Sequence, residues 1–253
     1  MLVDERRHLI AEAVLEQGAA TVPDLSNRFG VSHVTIRSDL EALERQGIIR
    51  RNRGGAVAHP VDRYTPAFQE RSSVNQKAKQ AIAATAATLV QDGDWVIVDA
   101  GSTTLYAIDH LKNRKLTVAV NSIYSANKLV DSPDVDLIQL GGSLYRPSLC
   151  FVGKLAASHL DDMHFDRVLL GVNGVSATGL SVNNTVEVGI KQKMIECANE
   201  VIVLADASKL GIRSLARIAT LDQVHRLVTD TGASEEMLAP LREAHPRLEV
   251  VIA

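Results

Sequence analysis

The sequence predicts an α/β protein in which a mostly parallel, Rossmann-like sheet follows a small N-terminal helical domain. Residues 1–50 show only helical periodicity, whereas short β-rich apolar runs alternate with amphipathic segments from about residue 95 onward. Such alternation is typical of parallel sheets that helices cover on both faces. Pro60 and Pro66 favour an extended linker between the two regions. We therefore expect a helical domain at residues 1–58, a linker at 59–74 and an α/β domain at 75–253.

Composition limits the classes of protein to which the chain can belong. The 253 residues are 46% hydrophobic and carry a formal net charge of −3. No stretch approaches the ~20 consecutive apolar residues that span a bilayer, and charges occupy the N-terminus where a signal peptide needs an apolar core. Cys150 and Cys197 form neither a disulfide framework nor a metal-binding pattern. We expect a cytoplasmic protein without membrane contact, cofactor or metal, and any DNA contact must come from a local basic patch.

The first sixty residues show the pattern of a helix-turn-helix. Thr21 offers an N-cap oxygen to a short second helix, which stops at Gly30. Ser32 then caps a third helix. A short helix, a tight glycine turn and a capped helix are typical of this motif. The buried face of the third helix is expected to carry Ile36, Leu40 and Leu43.

The third helix presents small polar residues and an arginine at its N-terminal end. Recognition helices of this class point that end at base edges. Thr and Val side chains contact thymine methyl groups, Ser contacts either base type, and Arg contacts guanine or phosphate. The candidate DNA-binding residues here are Ser32, His33, Val34, Thr35, Arg37 and Ser38.

A hairpin wing is predicted after the third helix, where two β-prone runs flank a turn at residues 52–55. Residues 45–53 contain four arginines and no acid, although eight basic and eight acidic residues balance over residues 1–59. The alternative is a small helical subdomain with a solvated basic loop, which the order of cap, turn and basic hairpin disfavours. Arg50, Arg51 and Arg53 join the candidate DNA-binding residues.

The segment from Leu25 to Ala56 resembles the DNA-binding domain of DeoR-type bacterial transcriptional regulators in the order and spacing of its residues. Two positions depart from that family. Many members carry a second arginine where this chain has Ser38, and an aromatic residue or histidine where it has Asn52-Arg53. The resemblance implies the same docking on DNA with a different operator preference.

Beyond residue 95, a strand-to-helix turn carries a glycine and three hydroxyl residues, Gly101 to Thr104. Glycine lets the backbone approach a phosphate, hydroxyls donate to it, and a helix N-terminus favours its negative charge. The turn matches neither a Walker loop nor a dinucleotide fingerprint. Plain helix capping explains this turn equally well.

Polar or charged residues also follow four further predicted strands, and parallel sheets bind ligands beyond the carboxyl ends of their strands. Capping explains one or two such ends more easily than five. We therefore expect a polyol- or phosphate-binding crevice, the strand-end site. Glu187 and Lys191 could instead form an exposed salt bridge on a helix rather than bind a ligand. Arg146 could instead occupy a surface position. The candidate ligand-binding residues are Asp99, Gly101, Ser102, Thr103, Thr104, Asn121, Ser122, Gly141, Gly142, Arg146, Asn173, Glu187, Lys191, Asp206 and Lys209.

These strand ends, together with Phe165–Gly171, resemble the sensor domain of the same family, so the resemblance runs from about Arg6 to Ile252. That domain is similar in fold to ribose-5-phosphate isomerase, glucosamine-6-phosphate deaminase and CoA transferases. The resemblance implies a repressor of a carbohydrate-catabolism operon whose affinity for double-stranded operator DNA changes when a phosphorylated sugar or sugar derivative binds. Asn173 replaces the aspartate of a Gly-x-Asp-Gly pattern common in the family, which leaves the sugar open.

An enzyme that isomerises or deaminates a sugar phosphate is the alternative, since Asp99, Glu187 and Lys191 supply acid–base groups. None of the eight histidines falls within the five strand-end segments, and neither a nucleophile elbow nor metal-ligand spacing occurs. We therefore expect a sensor without catalytic activity. Helix-turn-helix proteins read paired half-sites, which predicts a homodimer or homotetramer. The operator sequence and the direction of the ligand effect stay open.

Overall fold

The structure is a computed structural model that describes residues 3–17, 19–45, 49–52, 54–58 and 68–253. The chain divides into two compact units, Met1–Thr65 and Pro66–Ala253, each with its own hydrophobic core. None of the described helices combines the length and the apolar character that a membrane crossing requires.

The first unit contains three helices and a small antiparallel sheet in its described part. The third strand lies between the other two, so the predicted hairpin is present and a short additional strand pairs with it. That additional strand is three residues long, too short to show a period in the sequence. The elements are α1 (Val3–Gln17), β1 (Ala19–Thr21), α2 (Val22–Phe29), α3 (His33–Arg45), β2 (Ile49–Asn52) and β3 (Gly55–Ala58).

Local hydrogen bonds explain why α2 and α3 begin and end where they do. The Asp24 amide donates to Thr21 Oγ1 at 3.3 Å, which caps α2. Gly30 ends this helix in the left-handed conformation (φ 65°) that glycine adopts without strain. The Thr35 amide donates to Ser32 Oγ at 3.2 Å, which confirms the predicted cap of α3. Ile36, Leu40 and Leu43 are buried in the core of the unit, as predicted.

A buried carboxylate, which the sequence analysis did not identify, joins α1 to α3. Asp39 is only 1% exposed. It accepts hydrogen bonds from Arg6 Nε at 2.7 Å and from Arg7 Nε at 3.0 Å. A buried carboxylate needs such partners, because leaving it unpaired in the core costs several kcal/mol. These contacts fix the helix that presents the candidate DNA-binding residues.

Strands and helices alternate along the second unit, as the sequence predicts. In chain order its elements are α4 (Phe68–Ser73), α5 (Gln76–Thr88), β4 (Trp95–Val98), α6 (Ser102–Leu111), β5 (Leu116–Val120), α7 (Ile123–Leu129), β6 (Val135–Gln139), β7 (Ser143–Tyr145), β8 (Cys150–Val152), α8 (Lys154–Ser158), β9 (Phe165–Gly171), β10 (Gly174–Ser176), β11 (Gly179–Val182), α9 (Val188–Glu196), β12 (Ala198–Leu204), β13 (Ala216–Ala219), β14 (Arg226–Thr229), α10 (Glu235–Ala244) and β15 (Glu249–Ile252).

Seven strands form one parallel sheet in the order β15-β14-β12-β9-β4-β5-β6. These seven are the strands that the apolar runs predicted, so the fold class is confirmed. Alternate residues face opposite cores: Val96 and Val98 pack with α5, α6 and α7, whereas Ile97 packs with α8, α9 and α10. Because both faces are covered, the strands read as continuous apolar runs.

The shorter elements were not predicted. The β7–β8 hairpin and the antiparallel sheet β10-β11-β13 have strands of only three or four residues, too short to predict from the sequence. The predicted linker at 59–74 is wrong in part, because residues 68–73 form α4. Phe68 anchors this helix: it is buried, and its ring centroid lies 4.9 Å from that of Tyr124 on α7. Residues 59–67 lie outside the described part of the chain.

Replacing Asp39 with asparagine keeps the size of the side chain and removes the charge that Arg6 and Arg7 contact. We expect the first unit to lose about 2–3 kcal/mol, because hydrogen bonds to a charged group are lost. Calorimetry of the full chain measures the unfolding of that unit. Fluorescence of Trp95, the one tryptophan of the chain, reports the second unit and should not change.

Glu44→Gln is the control, since Glu44 lies 3.9 Å from Arg51 in an exposed pair that contributes little. Equal losses in the two variants would show that Asp39 has no special role in holding α1 to α3.

Candidate functional site

The five strand ends predicted to form one site lie next to one another in the sheet. β12, β9, β4, β5 and β6 are consecutive and parallel, so their carboxyl ends share one edge. The strand order reverses between β4 and β9, because the chain runs from β4 towards β6 and then returns to β9. Such a reversal is the point at which open α/β sheets form a ligand-binding crevice.

Three predicted residues form a buried charge cluster at this reversal. The Lys191 ammonium donates to Asp99 Oδ2 and, at 2.9 Å, to the Gly171 carbonyl. Glu187 Oε2 lies 3.8 Å from the same ammonium. The Gly171 amide donates to Asp99 Oδ2 at 3.1 Å, which joins the ends of β4 and β9. The pair formed by Glu187 and Lys191 is therefore buried, and the exposed salt bridge considered from the sequence is excluded.

The ammonium of Lys191 is charged despite its burial. Burial by itself lowers the pKa of Lys191, but the Asp99 and Glu187 carboxylates outweigh that effect and raise this pKa above its ordinary value. Both carboxylates of the cluster therefore favour the cationic form of Lys191.

Two residues that the sequence analysis missed extend this cluster to α4. Ser148 Oγ donates to Glu187 Oε1 at 2.6 Å and accepts from an Arg71 terminal nitrogen at 3.0 Å. Arg71 also contacts the Pro147 carbonyl at 3.4 Å. Separations of 39 and 77 residues along the chain leave no sequence pattern that could reveal these contacts.

Capping accounts for part of the predicted site. Thr104 Oγ1 accepts from the Gly101 amide at 2.8 Å and donates to the Asp99 carbonyl at 2.5 Å. Ser122 Oγ accepts from the Ser125 amide at 3.3 Å, and Asp206 Oδ1 accepts from the Ser208 amide at 3.1 Å. In the described part of the chain no side-chain hydrogen bond involves Ser102 or Thr103, at the N-terminus of α6. Ser102 is partly exposed, whereas Thr103 is buried.

The other predicted residues differ in their surroundings. Asn121 is buried, and its amide donates to the Phe151 carbonyl while its Oδ1 has no partner among the described residues. Asn173 Oδ1 accepts from the Asn183 amide at 3.2 Å. Arg146 is exposed, and Lys209 is partly buried. Gly141 and Gly142 follow β6, where the Gly141 amide donates to His159 Nδ1 at 3.2 Å.

A cavity of about 490 Å³ lies beyond the ends of β12 and β14, beside the start of α5. Asp206 is the one predicted ligand residue that lines it. The lining also includes Asn75, whose side-chain amide donates to Asp206 Oδ1 at 3.1 Å. Asp230, another lining residue, accepts from the backbone amide of Ala207 at 2.8 Å. The open space thus lies to one side of the buried charge cluster.

Lys79 on α5 is a further cation at this edge. Its ammonium is buried and donates to the Arg71 carbonyl. Burial lowers the pKa of Lys79 to about 8; Asp206 opposes this effect, while Lys209 and Arg71 add to it. Lys79 shares the buried face of α5 with Ile82 and Ala86, so its burial could have been predicted from the sequence.

In the first unit, α3 exposes the residues predicted to meet DNA. Val34 is 74% exposed, an unusual position for an apolar side chain, and His33, Arg37 and Ser38 are also exposed. Thr35 is half-buried and contacts the Ser32 hydroxyl at 3.0 Å.

The wing carries Arg51, whose amide donates to Glu44 Oε1 at 2.8 Å and whose side chain is exposed. Arg50 lies on β2, but its side chain is outside what the structure describes, as is the whole of Arg53.

Two family models match this sequence. That of the DeoR-like helix-turn-helix domain matches residues 6–60, and that of the DeoR C terminal sensor domain matches residues 74–231. The chain belongs to the DeoR family. It is a helix-turn-helix transcriptional regulator. α3 and the wing lie in the part that matches the DNA-binding domain, and the strand ends lie in the part that matches the sensor domain.

Relatives that match this chain over nearly their whole length are transcriptional regulators. A putative aga operon transcriptional repressor from Escherichia coli O157:H7 is 35% identical over 95% of this chain and 91% of its own. The HTH-type transcriptional repressor GlcR from Bacillus subtilis is 34% identical over 91% of this chain and 89% of its own. Among solved structures, ribose 5-phosphate isomerase A from Methanocaldococcus jannaschii is 21% identical, with a TM-score of 0.40 over 53% of this chain and 54% of its own.

Lys79→Met replaces the buried ammonium with an apolar side chain of similar length. The pKa of Lys79 is about 8 in the folded protein and has an ordinary value of 10.5. Between these values the folded protein binds fewer protons than the unfolded chain, so the free energy of unfolding rises with pH. We expect a smaller rise in the variant, measured by chemical unfolding followed through Trp95 fluorescence.

Lys77→Met serves as the control, because Lys77 is exposed two residues earlier on the same helix. Parallel pH curves for the parent protein and Lys79→Met would contradict a lowered pKa at Lys79.

Proposed function

We propose that this regulator represses a carbohydrate-catabolism operon and that a phosphorylated sugar or sugar derivative, bound at the strand-end site, changes its affinity for operator DNA. The ligand must bind the DNA-competent and DNA-incompetent states with different affinities. The protein acts as a homodimer or homotetramer in the cytoplasm, since a helix-turn-helix reads paired half-sites.

The observation that carries the sensor role is the combination of free donors and cations at one sheet edge. The Ser102 and Thr103 hydroxyls stand at the N-terminus of α6, where backbone amides favour an anion. Asp206 and Lys209 are close enough to Lys79 to act on its charge, and Asp206 lines the cavity. A phosphate group suits these donors, and the carboxylates Asp206 and Asp230 suit sugar hydroxyls.

Catalysis by the sensor domain is disfavoured by the ion pairs of the charge cluster. A general base must be free to accept a proton near the operating pH. Lys191 pairs with Asp99 and lies 3.8 Å from Glu187, and both carboxylates are buried. Asp99 also accepts from the Gly171 amide and Glu187 from the Ser148 hydroxyl, so both carboxylates are already engaged by protein groups, as a structural junction requires. The relatives are described as transcriptional repressors, which also supports a sensor rather than an enzyme.

Arg37→Ala tests the DNA-binding role of α3. We expect a loss of about 1–3 kcal/mol on a duplex selected from a random pool by the parent protein, because an arginine at this end of the helix reads a base. Anisotropy titrations with the selected duplex and with a random duplex measure the difference. An equal loss on both duplexes would assign Arg37 to a phosphate contact.

A thermal-shift screen with pentose, hexose, hexitol and aminosugar phosphates tests the sensor role. A ligand present at 100 times its dissociation constant adds about 2.7 kcal/mol to the folded state. Lys209→Ala should remove most of that shift and leave binding to the selected duplex intact. Lys112→Ala is the control, since Lys112 is at the opposite end of α6 from the strand-end site.

Three outcomes would contradict these assignments. Turnover of a sugar phosphate would favour the enzyme. If no sugar phosphate shifted the melting temperature more than inorganic phosphate does, the sugar phosphate would be excluded as the ligand. If the ligand shifted the melting temperature of Lys209→Ala as much as that of the parent protein, Lys209 would be excluded from the site.

A further inference from the structure

α4 is the first element described after residue 58. It contacts Lys79 of α5 through the Arg71 carbonyl, and its other contacts reach segments that follow the strand ends of the predicted site. The ring of Phe68 lies on Tyr124 of α7, and Tyr106 of α6 donates its hydroxyl to the Ser72 carbonyl at 3.3 Å. Arg71 donates to Ser148, in the segment just before β8. The helix therefore rests on the elements that would surround a bound ligand.

Arg71 supplies the charge that balances the buried cluster. Asp99 and Glu187 carry two negative charges and Lys191 one positive charge, so the guanidinium of Arg71 brings the four side chains to neutrality. All four act on the pKa of the buried Cys150 thiol, which burial and the two carboxylates raise and the two cations lower. They consequently share one neighbourhood with little access for water.

The link between Arg71 and the cluster is a single hydroxyl. Ser148 is fully buried and has one proton to donate, which goes to Glu187, so its lone pairs face Arg71. Arg71 Nε is buried without a hydrogen-bond partner, and no carboxylate among the described residues forms an ion pair with this guanidinium. The guanidinium is thus held by neutral acceptors, which a charged acceptor outcompetes.

We propose that Ser148 is a positioning residue that docks α4 on the buried charge cluster, so that a change at the strand-end site alters the docking of this helix. An anion near the cluster offers Arg71 a stronger acceptor than the hydroxyl, and the helix loses its tie to Glu187. The regulatory meaning of this bridge rests on the proposed function, because α4 follows the DNA-binding domain along the chain.

Hydrogen–deuterium exchange of the full chain, without DNA or ligand, tests the bridge. In Ser148→Ala we expect amides in peptides covering residues 68–75 to exchange at least about tenfold faster, since a charge-assisted bond is lost. Peptides from β9 should be unaffected. Ser125→Ala is the matched control: its hydroxyl is also fully buried, on the helix that Phe68 contacts, but has no partner among the described residues.

Arg71→Gln, on the partly exposed α4, provides a second variant should Ser148→Ala fail to fold. If the two residues act through each other, the double variant exchanges no faster than the faster single variant, which a mere packing role would not produce. Exchange in peptides 68–75 that matches Ser125→Ala, or additive effects of the two substitutions, would overturn the proposal.

This result does not depend on finding an operator or a sugar phosphate. Failure of the bridge is therefore distinguishable from failure of the proposed function, which the duplex selection and the thermal-shift screen decide.

Discussion

The parallel pairing of seven strands is the constraint on which the rest of the second unit depends. It requires helices on both faces and brings the strand ends to one edge. It also creates the reversal between β4 and β9, where Asp99 at the end of one strand accepts from the Gly171 amide of the next. The buried ammonium of Lys191 completes this junction, so the site is assembled from segments distant in the sequence.

Charge at this edge is divided between structure and recognition. Lys191 pairs with Asp99 and lies 3.8 Å from Glu187, which stabilises the junction. Lys79 lies at the same edge, where burial and the nearby cations Lys209 and Arg71 disfavour its charged form. An anion relieves both effects, which gives a physical reason for the site to prefer a phosphorylated ligand.

Residues with a local signal were predictable from the sequence. Buried apolar runs revealed the seven sheet strands, and Thr21, Gly30 and Ser32 revealed the helix-turn-helix through their capping chemistry. Features that depend on tertiary contacts were not predictable. The sequence offers no reason to pair Asp39 with Arg6, or Ser148 with Arg71, because these contacts join residues 33 and 77 positions apart. Strands as short as β1 and β10 show no period, and α4 lay within a segment read as a linker.

Coupling between the ligand site and the DNA-binding domain is central to the proposed function, and linkage measures it directly. The sugar phosphate that stabilises the protein is titrated into free protein and into the complex with the selected duplex. Coupling predicts that the ligand dissociation constant changes on DNA binding by the same factor as the DNA dissociation constant changes on ligand binding, typically about 5–150-fold. Identical ligand dissociation constants with and without the duplex would contradict the account.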